Sequence, residues 1–304
     1  MKNAFAANLE YLALRVVSGA VNALSYRAAM RLAKCLALFA SRVLRVKRRR
    51  TLERIRSVFP DKSERECAFI AERSLVNMFW TVVEMIRAPQ LDRAWMDEYV
   101  EDGELYRQKL QALVDEGKGV VIMVPHSANW YMAAWSMAKY GLKLFALAAR
   151  QRNPKLDAWM NRQYGDIEVL DRDNRDTVRV IEEKLASGRA FAILPDLRVR
   201  KPDVEADFFG GKANVSRAGA LFAVKCGAPI VVAVMSRKNG KHVFNHLATL
   251  RPDPNATDRN AEARRLTGEA LKLLSDAIMR EPENWFWYNK RWILEPPEKR
   301  KERS

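Results

Sequence analysis

Apolar residues in the first ninety positions recur at helical spacing. Leu9, Leu12, Val16, Ala20 and Leu24 form one stripe, and Ala29, Leu32, Leu36, Phe39 and Val43 form a second with 3-4-3-4 spacing. Arg27, Arg31, Lys34, Arg42 and Arg45 lie mostly off the second stripe, so both segments read as basic amphipathic helices. A third helix is expected after Pro60. Asp61 or Ser63 is its candidate cap, and Phe69, Leu75, Phe79, Val82, Val83 and Ile86 give it an apolar face that ends before Pro89. Residues 104–116 read as a helix closed by Gly117.

The period then changes. Residues 119–125 form a continuous apolar run bounded by Gly119 and Pro125, the pattern of a buried parallel strand. Further strands are expected at 142–149, 168–170, 190–194, 229–235 and 242–250. Helices are expected at 130–139, 155–164, 177–186, 216–225 and 262–281, with Gly188 and Gly227 closing two of them. Strands alternating with helices imply right-handed crossovers. The fold class is therefore α/β, a mostly parallel central sheet flanked by helices, with an N-terminal basic amphipathic layer. The expected division is 1–50 for that layer and 51–304 for the α/β domain.

Composition sharpens the role of the N-terminal layer. The 304 residues are 48% hydrophobic and 30% charged, which suits a folded core and excludes a disordered chain. The formal charge is +16, and residues 1–60 alone hold 13 basic and 2 acidic groups. Residues 290–304 add 6 basic and 3 acidic groups, so the remainder is close to neutral. The longest stretch without Asp, Glu, Lys or Arg in the N-terminal layer is 16–26, eleven residues, where a membrane-spanning helix needs about 20. Glu10 and Arg15 stand where a signal peptide would be apolar. Three readings remain for the basic helices: contact with an anionic membrane surface, plain packing on the body, or nucleic-acid binding. The run 45–50 carries five basic residues in six with no interleaved aromatic, which weighs against nucleic acid. Cys35, Cys67 and Cys226 form no metal-ligand or disulfide spacing, and His242 and His246 fall in a strand where four residues apart is not one face; no metal site is expected.

The candidate chemistry gathers after strands. His126, in Val124-Pro-His-Ser-Ala-Asn-Trp-Tyr131, follows a buried strand and precedes a helix, and parallel sheets bind ligands beyond their strand C-termini. A neutral imidazole there can take a proton from a hydroxyl. Asp196 follows another strand, with a turn or helix-cap role as the alternative. Arg150, Arg152, Arg172 and Arg175 also follow strands; each alone is an ordinary solvated charge, and together they could form an anion site. In Phe208-Phe-Gly-Gly-Lys-Ala-Asn-Val-Ser216 the glycines permit tight turns and Ser216 is a candidate cap. The aromatics between Trp285 and Trp292 fit either a core or a membrane interface. There is no Walker A loop, no GxSxG and no HExxH.

In this order the segments resemble the bacterial lipid A biosynthesis acyltransferases (lauroyl/myristoyl transferases) of the lysophospholipid acyltransferase superfamily. The resemblance covers essentially the whole chain: it includes the basic N-terminal helices, Phe59-Pro60 after them, His126 with Asn129-Trp130, Arg150 to Asn153, Leu170-Asp-Arg172, Pro195-Asp196 and Phe208-Phe-Gly210. It ends on Pro282-Glu-Asn-Trp-Phe-Trp with Lys290-Arg-Trp292. It implies a glycerol-phosphate-acyltransferase-like domain on the cytoplasmic face of a bacterial inner membrane. The reaction it implies moves a fatty acyl group from acyl carrier protein, or from acyl-CoA, to a hydroxyl of a lipid acceptor, with no cofactor. His126 would be the general base, with Asn129, Arg150, Arg172 and Ser216 at the substrate and basic surface near Arg198, Arg200 and Lys201 receiving the acidic carrier. The chain departs from the family at two positions. Tyr131 stands where the family has an acid after the histidine and four intervening residues, and Arg198 stands where a second acid is frequent. Three explanations follow: another carboxylate, Asp196 or Glu84, completes the dyad; the chemistry is altered; or the protein is a non-catalytic lipid-binding homologue.

Overall fold

The computed structural model describes residues 4–295; the remainder of the basic tail, 296–304, lies outside them. The N-terminal layer contains α1 (Ala4–Ala23), α2 (Tyr26–Arg42), α3 (Arg48–Val58) and α4 (Glu64–Arg87). Ser63, rather than Asp61, starts α4: its hydroxyl accepts from Glu66 N at 3.3 Å while Glu66 Oε2 accepts from Ser63 N at 2.9 Å, a reciprocal capping box. The basic run opens α3, a helix the apolar pattern did not predict, which crosses residue 50.

Small residues on α2 let it approach α4 closely. Ala29, Ala33, Ala37 and Ala40 are buried, and the large side chains of the same helix, Leu32, Leu36 and Phe39, point outward and are exposed. The same holds for Phe5, Leu9, Leu12 and Val16 of α1. α1 is fastened at both ends. Arg87 Nη1 donates to the carbonyls of Val21 and Leu24, each at 2.8 Å, where a helix end leaves acceptors unmet. Asn153 Nδ2 donates to Ala7 O at 2.8 Å. The expectation that charges interrupt any span needs correction. α1 is a continuous 20-residue helix, long and apolar enough by length and composition to cross a membrane, and almost none of it is buried.

The body follows as α5 (Arg93–Tyr99), β1 (Val100–Glu101), α6 (Gly103–Val114), β2 (Val120–Met123), α7 (Trp130–Lys139), β3 (Leu144–Ala148), α8 (Pro154–Tyr164), β4 (Glu168–Asp171), α9 (Thr177–Ala186) and β5 (Ala190–Ile193). The chain continues through β6 (Val204–Phe208), β7 (Gly211–Val215), α10 (Ala218–Cys226), β8 (Ile230–Lys238), β9 (Lys241–Leu250) and α11 (Arg259–Arg280). Seven strands form one sheet in the order β1-β9-β8-β2-β5-β3-β4, parallel except where β9 runs against β8. Period-two alternation places Val121 and Met123 in one core layer with α10 and α11, and Val120 and Ile122 in the other with α6 and α7. At the start of β2, Gly119 has φ +66° and a Cβ there would lie 2.6 Å from Leu185 O, so no other residue fits.

β6 and β7 form a separate antiparallel hairpin that the glycine-rich segment did not announce. Its two turn residues, Phe209 and Gly210, have φ +52° and +75°, the geometry of a type I′ turn. A phenylalanine in the left-handed region is strained. Phe209 is held by burial: its ring stacks on Trp287 at 5.4 Å and meets Trp285 edge-on at 5.1 Å. Trp285 and Trp287 are thereby core residues.

Candidate active site

The register of two neighbouring strands builds the centre. Met123 of β2 pairs with Ile193 of β5, so Val124-Pro125-His126 and Leu194-Pro195-Asp196 leave the same sheet edge side by side, each three residues beyond its strand. His126 Nδ1 lies 2.8 Å from Asp196 Oδ1, and Asp196 Oδ2 accepts from His126 N and from Trp285 Nε1, each at 2.8 Å. Asp196 is fully buried. Burial by itself raises its pKa, but the facing imidazole and these hydrogen bonds together hold the carboxyl below its ordinary value. An ionised carboxylate only accepts, so Nδ1 carries the ring proton and Nε2 is the imidazole's acceptor. The ring keeps 18% exposure and meets Trp130 edge-on at 4.9 Å.

The loop carrying His126 is fixed by the C-terminal strap, residues 281–295 after α11. His126 O accepts from Phe286 N at 3.0 Å, and Ala128 N donates to Asn284 O at 2.7 Å. Ala128 has φ +46°, and its carbonyl accepts from Thr81 Oγ1 of α4 at 2.9 Å. α4 also holds the strap itself, since Ser74 Oγ donates to Trp285 O and Asn77 Nδ2 to Glu283 O at 3.0 Å. Strain at a non-glycine residue beside the histidine is sustained because both sides of the peptide are bonded.

Asn129, expected at the substrate, is fully buried instead, and both ends of its amide are used. Its Oδ1 caps α7 by accepting from Met132 N at 2.9 Å, and its Nδ2 donates to Glu84 Oε2 at 2.6 Å. It therefore sets the direction of α7 rather than touching a ligand. Glu84 also receives Tyr26 OH at 2.6 Å, both terminal nitrogens of Arg237 at 3.0 and 2.7 Å, and His242 Nε2 at 3.1 Å. Burial opposes its charge, but Arg237 and His242 hold its carboxyl well below the usual range.

A cavity of about 370 Å³ starts at His126 and runs between the sheet and helices α4, α7 and α8. Its walls are almost wholly apolar, with Met78, Val124, Ala146, Met235 and Phe244 among them. Such a space takes a flexible hydrocarbon and offers few partners to a polar ligand.

Tyr131 also lines this cavity, but its hydroxyl donates to Gln163 O, away from the dyad. Burial pushes its phenol pKa up, so it stays neutral. Tyr131→Phe should cost about 1 kcal/mol of stability, read by denaturant unfolding, with catalytic turnover within a few fold of the parent.

Arg150 is exposed and pairs with Asp171 Oδ2 at 3.0 Å; Arg172 is exposed and lies 3.5 Å from Asp173. They leave β3 and β4, two and three strands from β2, which is about 10 and 14 Å at ordinary strand spacing. They share the sheet edge with the dyad without touching it. Ser216 Oγ accepts from Ala218 N at 3.2 Å, a local turn at the start of α10. Arg198, expected on a docking surface, is buried and lies 3.5 Å from Glu295, leaving Arg200 and Lys201 as the exposed cations there. The pattern of the sequence missed Trp285 as a donor to Asp196 and Arg237 as the partner of Glu84, because an indole or guanidinium in a strand or strap shows no spacing relative to a distant carboxylate.

A family model described as bacterial lipid A biosynthesis acyltransferase matches residues 7–293. A phosphatidylinositol mannoside acyltransferase of Mycolicibacterium smegmatis is 24% identical over 229 residues, 72% of this chain and 71% of that protein. The protein of the same description from Mycobacterium tuberculosis is 25% identical over 201 residues, 63% of this chain and 60% of that one. Lipid A biosynthesis acyltransferase 2 of Shigella flexneri is 26% identical over 264 residues, 82% of this chain and 78% of that one.

Proposed function

Since the chain belongs to the bacterial lipid A biosynthesis acyltransferase family and is an acyltransferase of the lipid A or glycolipid type, we propose that it moves a fatty acyl group from an acyl carrier protein thioester, or from acyl-CoA, to a hydroxyl of a membrane glycolipid. The observation that carries this reading is the His126–Asp196 pair at the mouth of an apolar cavity. The acyl chain lies in the cavity, with its thioester carbonyl beside His126. Nε2 of His126 takes the proton of the acceptor hydroxyl as its oxygen attacks the carbonyl carbon. Asp196 stabilises the resulting imidazolium through Nδ1. The tetrahedral intermediate collapses, the carbon–sulfur bond breaks, and the imidazolium returns the proton to the departing thiolate. Arg150 and Arg172, on the same edge, receive anionic groups of the acceptor. A carboxylate already on Nδ1 supports catalysis despite Tyr131 and weakens the reading of a non-catalytic lipid-binding homologue. In the assay that tests this, a palmitoyl carrier-protein thioester should be consumed only when a glycolipid acceptor is present. Absence of turnover with every acyl donor and acceptor combination would favour the lipid-binding homologue.

The same reading places the protein on the cytoplasmic face of the inner membrane, with the outward apolar rows of α1 and α2 in the interface and the arginines at 45–50 on anionic headgroups. Replacing Leu9 and Leu36 by Asp should lower affinity for phosphatidylglycerol vesicles by at least about tenfold, since each buried Leu contributes roughly 1.5–3 kcal/mol. Unchanged sedimentation with vesicles would show that these rows do not enter the bilayer.

A further inference from the structure

A second apolar depression lies between α1, α4 and α8, under the N-terminal half of α1. Ala13 and Leu14 form one wall and Ile86, Leu156 and Trp159 the other. Val82, Met85 and Met160 line both this depression and the cavity that starts at His126, so a single layer of side chains divides the two spaces. Two of these three are methionines, whose unbranched side chains rearrange at low cost. Met160 and Gln151 also border a third, polar depression that contains Arg150 and Asp171 at the ends of β3 and β4 and Asn161 of α8. An apolar trough, a polar trough that holds Arg150 with Asp157 and Asp171, and the His126 cavity therefore meet at Met160. The outer face of α1, directly over the apolar trough, is itself apolar and exposed.

We propose that the depression beneath α1 is a second fatty-chain site, separate from the His126 cavity, and that it takes an acyl chain which the acceptor lipid already carries. The chain comes from the bilayer side, under α1, while the polar head of the same lipid lies toward Arg150. This rests on the acyl-transfer reading for the role of the His126 cavity. It places one fatty chain of that glycolipid acceptor beneath α1. Both the shared Met160 wall and the continuity with the exposed face of α1 support a membrane lipid as the occupant.

The test uses the full chain on phosphatidylglycerol vesicles containing a trace of phosphatidylglycerol with a diazirine in one acyl chain. After irradiation, the labelled peptides are mapped by mass spectrometry. Labels are expected on Met85, Leu156, Trp159 or Met160 as well as on the outer residues of α1. They should persist when the His126 cavity is first filled with a non-reactive palmitoyl thioether analogue. Leu156→Trp and Ala13→Trp fill the depression from opposite walls. Each should lower labelling there by about tenfold, the effect of excluding some two methylenes, with labelling of Leu9 and Leu12 unchanged. Labels confined to the outer face of α1, labels displaced by the palmitoyl analogue, or labels indifferent to both substitutions would each overturn the second site. Turnover is assayed separately on the parent protein, so loss of the acyl-transfer reading and loss of this site give different results.

Discussion

Asp196→Asn is expected to lower kcat/KM about 10⁴-fold with little change in fold, the penalty seen when an amide replaces the orienting acid of a Ser-His-Asp triad. The reason lies in the hydrogen-bond count. Asp196 accepts from three donors with two oxygens: His126 Nδ1, His126 N and Trp285 Nε1. Asparagine keeps one accepting oxygen and turns an N–H toward at least one donor. The least costly adjustment moves the ring proton of His126 from Nδ1 to Nε2, which removes the base that takes the acceptor's proton. His126→Ala should cost a similar factor, and the double variant should be no worse than either single one, because the two residues act as one unit. Steady-state acyl transfer with carrier-protein thioester measures all three. An Asp196→Asn protein that retains activity within tenfold of the parent, or costs that multiply in the double variant, would mean that Asp196 only holds the loop.

Glu84→Ala is expected to destabilise the protein by about 3–5 kcal/mol, because it leaves Arg237 buried without its counter-charge. That is a large share of the roughly 5–15 kcal/mol that holds a domain together. Glu84→Gln keeps the shape and removes the charge, but its amide turns an N–H toward one of the five donors that Glu84 accepts from. Its pH dependence follows from the directions of the shifts. The folded Glu84 carboxyl is held below its unfolded value, so its stabilisation is complete above about pH 4.3 and is lost as pH falls through the folded value. Burial holds His242 below the ordinary imidazole range, so a second decline begins as pH falls below about 6.5. Denaturant unfolding at a series of pH values should show both declines in the parent and a shallower lower one in Glu84→Gln, since Asp196 and other paired carboxyls still titrate there. An unchanged acid limb would indicate that the carboxylate is not the group that titrates. The position matters to the site because Asn129 joins Glu84 to the first turn of α7, three residues beyond His126.

Local pattern alone located most of the elements. The run from Gly119 to Pro125, a cap at Asp61 or Ser63 and the alternation after residue 119 specify β2, α4 and the crossovers, since helix and strand periodicities are written in consecutive residues. The elements missed were α5 and β1, too short to show a period, and those whose signal is not apolar periodicity. α3 begins in a cluster of arginines, and the hairpin turn uses Phe209 where a glycine or asparagine is usual, which only burial among Trp285 and Trp287 makes tenable.

By itself the sequence determined that His126 and Asp196 each stand just past a buried strand, after a proline, and that the N-terminal helices carry both charge and apolar stripes. It favoured Asp196 over Glu84 as the acid that Tyr131 fails to supply, without showing that either reaches His126. Tertiary structure decided between them, because β5 pairs with β2 although β3 and β4 come between them in the chain. Strand order follows from how buried faces and crossovers close around one core, and no residue in either strand encodes its neighbour. The same packing turned Asn129 inward, gave Glu84 to Arg237, and left Leu32, Leu36 and Phe39 of α2 outside because small residues, mostly alanines, fill its contact with α4.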